Sequence, residues 1–181
     1  MNHFGILAMV VSGMIAIPAS ANVQTYRTMQ GDGHVTVEGS IIDSPCAIDA
    51  GSRNQSIELK TIPISQMIHD KQGPIRPFSI RLINCVLTPL TPGKPDWQSF
   101  EITFDGSHDG DNFRLFGHAK GVSLKITDEQ GNHAVPGKPL PARSIESGSM
   151  TLNYGMRLVT NNQRLESGNY QTTVRFKMDY Y

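Results

Sequence analysis

Polar and apolar positions alternate most regularly over the last run of the chain, Gly168-Asn-Tyr-Gln-Thr-Thr-Val-Arg-Phe-Lys-Met-Asp-Tyr-Tyr181. Thr172, Val174, Phe176, Met178 and Tyr180 fall on one face, and Gln171, Thr173, Arg175, Lys177 and Asp179 on the other. A period of two predicts a strand with one buried and one wet face. No further strand follows this run. Either earlier strands cover both of its edges, or one edge is offered to another chain, because proteins normally hide an exposed apolar edge.

The same alternation recurs upstream. His34 to Asp43 predicts a first strand with Val35, Val37, Gly39 and Ile41 on one face, ended by Pro45 and Cys46. Ser56–Lys60 predicts a short strand with Ile57 and Leu59 inward, and Phe78–Cys85 another with Phe78, Ile80 and Leu82 together. Further strands are expected at Phe100–Phe104, Phe113–Leu115, Val122–Ile126 and Met150–Leu158. Residues 63–71 suit one helical turn. Pro and Gly cluster between Thr88 and Trp97 and again between Pro136 and Pro141, which predicts loops. Seven or eight short strands with a turn about every ten residues predict an all-β antiparallel sandwich.

Composition narrows this picture. The chain has 181 residues, enough for one domain with a sizeable core. Sixteen basic residues balance sixteen acidic ones, which gives no electrostatic reason to expect nucleic acid or an anionic membrane as partner. Residues 4–17 are apolar and lead into Pro18-Ala-Ser-Ala21, the pattern of a signal peptide over residues 1–21, although Met-Asn-His ahead of it carries no Lys or Arg. The run is shorter than the roughly 20 residues a bilayer span needs. The mature chain is expected to be exported, to lack a membrane span, and to begin at Asn22 with a flexible arm over 22–33. In an exported chain the two cysteines, Cys46 and Cys85, read as a disulfide. Closing a loop of about 40 residues would contribute on the order of 3–4 kcal/mol by constraining the unfolded chain.

Catalytic and metal patterns are weak. The six histidines do not form an i, i+4 pair. Asp105-Gly-Ser-His-Asp-Gly-Asp111 resembles the start of a calcium loop, but Phe116 stands where a bidentate Glu is needed, so a hairpin turn is the better reading. No Gly-x-Ser-x-Gly elbow or phosphate loop occurs. No enzyme activity, metal or cofactor is expected.

Four stretches together resemble a pilin subunit of the chaperone–usher pathway. They are His34–Cys46, Phe78–Cys85, Gly121–Gly131, and an end with Gly168 fourteenth from the carboxy terminus and Tyr180 penultimate. The resemblance spans nearly all of residues 31–181. It implies an incomplete immunoglobulin-like sandwich lacking its last strand, with the pilin domain over 34–181. It implies that residues 33–43 are a donor strand, with Val35, Val37, Gly39 and Ile41 entering a neighbour's groove. Three aliphatic side chains there would contribute about 5–9 kcal/mol before entropy costs. Gly168, Val174, Phe176, Met178, Tyr180 and Tyr181 would form the edge that accepts a strand, with the Tyr181 carboxylate anchoring the chaperone. The implied partners are a periplasmic pilus chaperone, an outer-membrane usher and neighbouring pilin subunits. The implied route runs through the periplasm to a fimbrium on the cell surface.

Ile102–Gly106, Ala119–Val122 and Leu165–Tyr170 resemble minor subunits of P-pilus-like systems, with a terminator that anchors the fibre base or an adaptor as the expected role. A major shaft pilin is the alternative. A self-complete secreted β-sandwich that binds a ligand, for which Trp97 in a Pro-rich loop is the one hint, is the alternative of a different class.

Overall fold

The computed structural model describes residues 35–38 and 43–181. The expected signal peptide, the expected arm, and Gly39 and Ile41 of the expected donor strand lie outside the described residues. Residues 35–38 are not in a strand, and Val35 and Val37 are 84% and 88% exposed. The chain divides between Ser40 and Ile41, and all the elements below belong to the part from Ile41 onward.

The elements are β1 (Ala47–Ile48), α1 (Ala50–Arg53), α2 (Ile64–Asp70), β2 (Arg76–Cys85), β3 (Ser99–Asp105), β4 (His108–Asp109), β5 (Asn112–Arg114), β6 (Phe116–Gly117), β7 (Val122–Asp128), β8 (Arg143–Ser144), β9 (Gly148–Thr160), β10 (Tyr170–Gln171) and β11 (Arg175–Tyr180). One antiparallel sheet runs β1-β2-β9-β7-β5-β4, a second runs β11-β3-β8, and β10 pairs β6 in a short ribbon.

The alternation read from the sequence decides which side chains enter the core. Ile80, Leu82, Leu152 and Tyr154 from β2 and β9, and Leu124 and Ile126 from β7, are buried against Phe100, Ile102 and Phe104 of β3. The rings of Phe104 and Tyr154 meet edge to face at 5.0 Å, and Phe78 stacks on Tyr154 at 5.3 Å. The sheet containing β2 and the sheet containing β3 therefore pack face to face, as in a sandwich.

Cys46 and Cys85 are bonded to each other. Even-numbered residues of β2 face inward, so Cys85 should face out. A bulge between Leu82 and Cys85, with Asn84 at φ 54°, adds the residue that turns Cys85 back into the core. β1 lies beside it, with Ala47 opposite Ile83. β1 stops after two pairs because Asp49 accepts a hydrogen bond from the Gly51 N–H and starts α1, which leads the chain away from β2.

The segment 54–63 departs from expectation, since the strand predicted at Ser56–Lys60 does not form. Ile57 and Leu59 still turn inward and are half-buried, but among the described residues no neighbouring backbone pairs with them. After Pro63, α2 forms where the helical turn was expected. It buries Met67 and ends at Lys71, which is left-handed with φ 59°.

Candidate functional site: an unfilled groove beside the last strand

Among the described residues, β11 has one partner. Its six residues pair with β3, from Arg175 opposite Asp105 to Tyr180 opposite Phe100. Beyond the strand, the Tyr181 N–H donates to the Ser99 carbonyl at 2.9 Å, and the Ser99 N–H returns a bond at 3.2 Å. Tyr181 and Ser99 are thus a mutually bonded pair, and antiparallel alternation settles the rest. The N–H and C=O groups of Arg175, Lys177 and Asp179 point to β3, and those of Phe176, Met178 and Tyr180 point to the open edge. The carbonyls of Ile102 and Phe104 agree, because they turn away from β11 to accept from Leu140 and Gly137.

Next to that edge lies a cavity of about 1360 Å³. Its bottom is the inner face of the large sheet, at Ile80, Leu124, Ile126 and Leu158, with Phe104 of β3. One wall is Thr172–Phe176 of the last run, and the other is the unpaired segment 54–63 with α2's Met67 behind it. The end wall is the ribbon around Ala119–Lys120 and Leu165–Gln171. Thr172, Val174, Phe176, Met178 and Tyr180 face inward as expected, yet each is only half-buried, while Gln171, Thr173, Arg175 and Lys177 are exposed. Among the described residues, none covers the core of this sandwich along one strand's width.

The charges sit on the other face of the same strand. Arg175 lies 3.7 Å from Asp105, and Lys177 lies 2.9 Å from Asp179. The hydrogen bond that Lys177 donates to Asp179 raises the Lys177 pKa, and burial raises those of Tyr180 and Tyr170. Among the described residues, the groove presents apolar side chains and a row of free backbone groups, the two things an added strand needs. Among the described residues, no cluster of His, Cys, Asp and Glu is placed to hold a metal ion.

The residues singled out from the sequence fall in several places. Val174 and Phe176 line the groove, and Phe176 packs on Phe104 at 6.3 Å. Met178 and Tyr180 continue that face toward the end where Trp97 meets Tyr180, again at 6.3 Å. Gly168 sits in the end wall. One oxygen of Tyr181 accepts from the Gln98 and Ser99 N–H groups. Leu115, Leu124, Ile126, Leu158 and the wall 54–63 were missed as site residues. Their inward alternation is visible in the sequence, but nothing local marks which part of a core is left uncovered.

No family model matches the chain. The chain is 34% identical over 151 residues to the PRS fimbrial minor pilin protein of Escherichia coli, covering 82% of this chain and 77% of that protein. Among solved structures, the P pilus rod subunit PapA superposes with a TM-score of 0.69 at 19% identity, over 76% of this chain and all of the other. A chaperone–usher pilus structure gives a TM-score of 0.67 at 22% identity, over 84% of this chain and 97% of that one. These two likenesses concern the fold, an immunoglobulin-like sandwich here left incomplete along β11. The relative carries the kinship, and the chain belongs to the family of fimbrial pilin subunits.

Proposed function

We propose that this chain is a non-enzymatic, minor structural subunit of a fimbria whose open groove is filled by a strand from another polypeptide. The observation that carries this reading is the groove itself, apolar at its floor and bordered by the free backbone groups of Phe176, Met178 and Tyr180. A periplasmic chaperone lends the strand first, in contact with Val174, Phe176, Met178, Tyr180 and the Tyr181 carboxylate, and the outer-membrane usher receives the complex. Residues 33–43 act as the donor for a neighbouring pilin, with Val35, Val37 and Ile41 entering its groove and Gly39 sitting where no side chain fits. Support for this role comes from the alternation of the segment and the exposure of Val35 and Val37. Residues 1–21 direct export and are removed, residues 22–33 form an arm, and the assembled protein resides in the fimbrium on the cell surface. The minor role, as terminator or adaptor, draws support from the minor pilin relative.

The test is donor-strand exchange on the purified subunit–chaperone complex. Peptides from the amino-terminal segments of sister subunits are added and chaperone release is followed. Release identifies an adaptor or shaft subunit. A groove that resists every peptide, while the Gly33–Ser44 peptide enters another subunit, identifies a terminator. A stable monomer that forms no chaperone complex overturns the reading.

A further inference from the structure

Among the described residues from Asp43 onward, seven large apolar residues are exposed, and three of them lie close together. Val86 is 63% exposed, Leu90 85% and Tyr181 60%, and all three belong to one pole of the sandwich. The Val86 N–H donates to the Pro45 carbonyl at 2.8 Å, so the loop after β2 starts where the amino-terminal segment leaves the domain. The loop's other foot is Trp97, whose N–H bonds the Leu87 carbonyl and whose ring packs on Tyr180. The next residue, Gln98, donates to Tyr181.

The loop is built to hold its shape. Pro89, Pro92 and Pro95 fix three backbone torsions, and Gly93 at φ 84° completes a turn closed by the Lys94 N–H on the Thr91 carbonyl. Leu90 stands between two of these prolines. A single exposed leucine needs no explanation. A leucine on a proline-stiffened loop, beside the exit of a binding segment, loses little conformational freedom on docking.

We propose that the loop between β2 and β3, through Leu90 and Val86, docks on the pilin subunit that receives this chain's amino-terminal segment. This rests on the donor-strand reading above. Chain length makes the contact geometric. Pro45 is four residue steps beyond Ile41, a reach of at most about 14 Å. An acceptor holding Ile41 is therefore tethered within one loop's reach of this pole. The loop adds a second, rigid contact to the strand, so the link outlasts what the strand alone supports.

The test places a photo-crosslinking phenylalanine analogue at position 90, and at Gln163 as a control. Gln163 is exposed and follows β9, which runs from Gly148 beside Cys85 to Thr160 at the opposite pole. The full-length subunit is linked to an acceptor that takes the Gly33–Ser44 peptide. The inference expects crosslinking to the acceptor from position 90 and not from position 163. It also expects at least tenfold faster dissociation of the link for Leu90→Asp, with a smaller loss for Leu90→Ala and no change for the free peptide. If the peptide enters the acceptor but both positions crosslink equally and Leu90→Asp holds as long as the native chain, the loop has no such role. If the peptide enters no pilin groove, the donor reading fails and the inference falls with it.

Discussion

Three glycines hold the closed end of the groove together. A Cβ on Gly117 would lie 2.4 Å from the Asn169 carbonyl oxygen, one on Gly121 would lie 2.7 Å from that of Arg164, and one on Gly168 would lie 2.6 Å from the His118 Cβ and 2.7 Å from the Ala119 nitrogen. The segments 117–121 and 163–170 can approach this closely only without side chains at those positions. Gly168→Ala meets backbone, which cannot swing aside as a flexible side chain could. It is expected to lower stability by about 1–3 kcal/mol, the usual cost of overpacking, read as the urea midpoint of the strand-filled subunit. Nearby, Asp109 accepts from Ser123 at 2.5 Å and from Asn161 at 2.6 Å. These bonds hold its pKa below the ordinary 3.8. A carboxyl depressed in the folded state contributes stability that is full above its unfolded pKa and is lost as pH falls through the folded one. The urea midpoints of the native chain and Asp109→Ala should therefore differ by a constant amount at neutral pH. They should begin to converge as pH falls below about 3.8 and meet only once it is below the depressed folded pKa.

At the scale of the element, β11 is the strand whose reading from sequence and structure agree most closely. Its alternation is uninterrupted, so its inward set follows from period alone. Phe176→Asp puts a carboxylate on the groove wall, where a donated strand would bury it. It is expected to reduce chaperone complex at least tenfold in co-purification, whereas Lys177→Gln on the wet face leaves the yield unchanged. Other elements were less legible. Parity in β2 places Cys85 on the wrong face, and only the bulge at Asn84 reconciles the disulfide with the strand. Ile57 and Leu59 alternate as a strand would, but a strand needs a paired backbone, and the sequence does not show that the chain lacks one there. The helical turn at α2 was readable because Pro63 marks its start.

For the whole molecule, local patterns were enough to identify an all-β sandwich, and the inward faces of β3, β7, β9 and β11 could be read off their own alternation. The groove was less visible, because it is a relation among β2, β7, β9, β11 and an unpaired segment that no single stretch encodes. The same openness makes the covalent staple matter more than in a closed sandwich. Cys46 and Cys85 are 39 residues apart in sequence and tie the start of the domain to the end of β2. The double variant Cys46→Ser, Cys85→Ser is expected to lose about 3–4 kcal/mol in urea unfolding of the strand-filled subunit, and to be degraded before capture in cells.

The pairing of Tyr181 with Ser99 has a consequence for solvent isotope exchange. The amides of Arg175, Lys177 and Asp179 are tied to β3, whereas those of Phe176, Met178 and Tyr180 face the vacant edge. In deuterated water the strand should therefore lose its protons in a comb, every second amide within the early time points and the others late. A strand seated in the groove would turn the comb into a uniform block, and the number of teeth that vanish would count how far along β11 the guest has zipped.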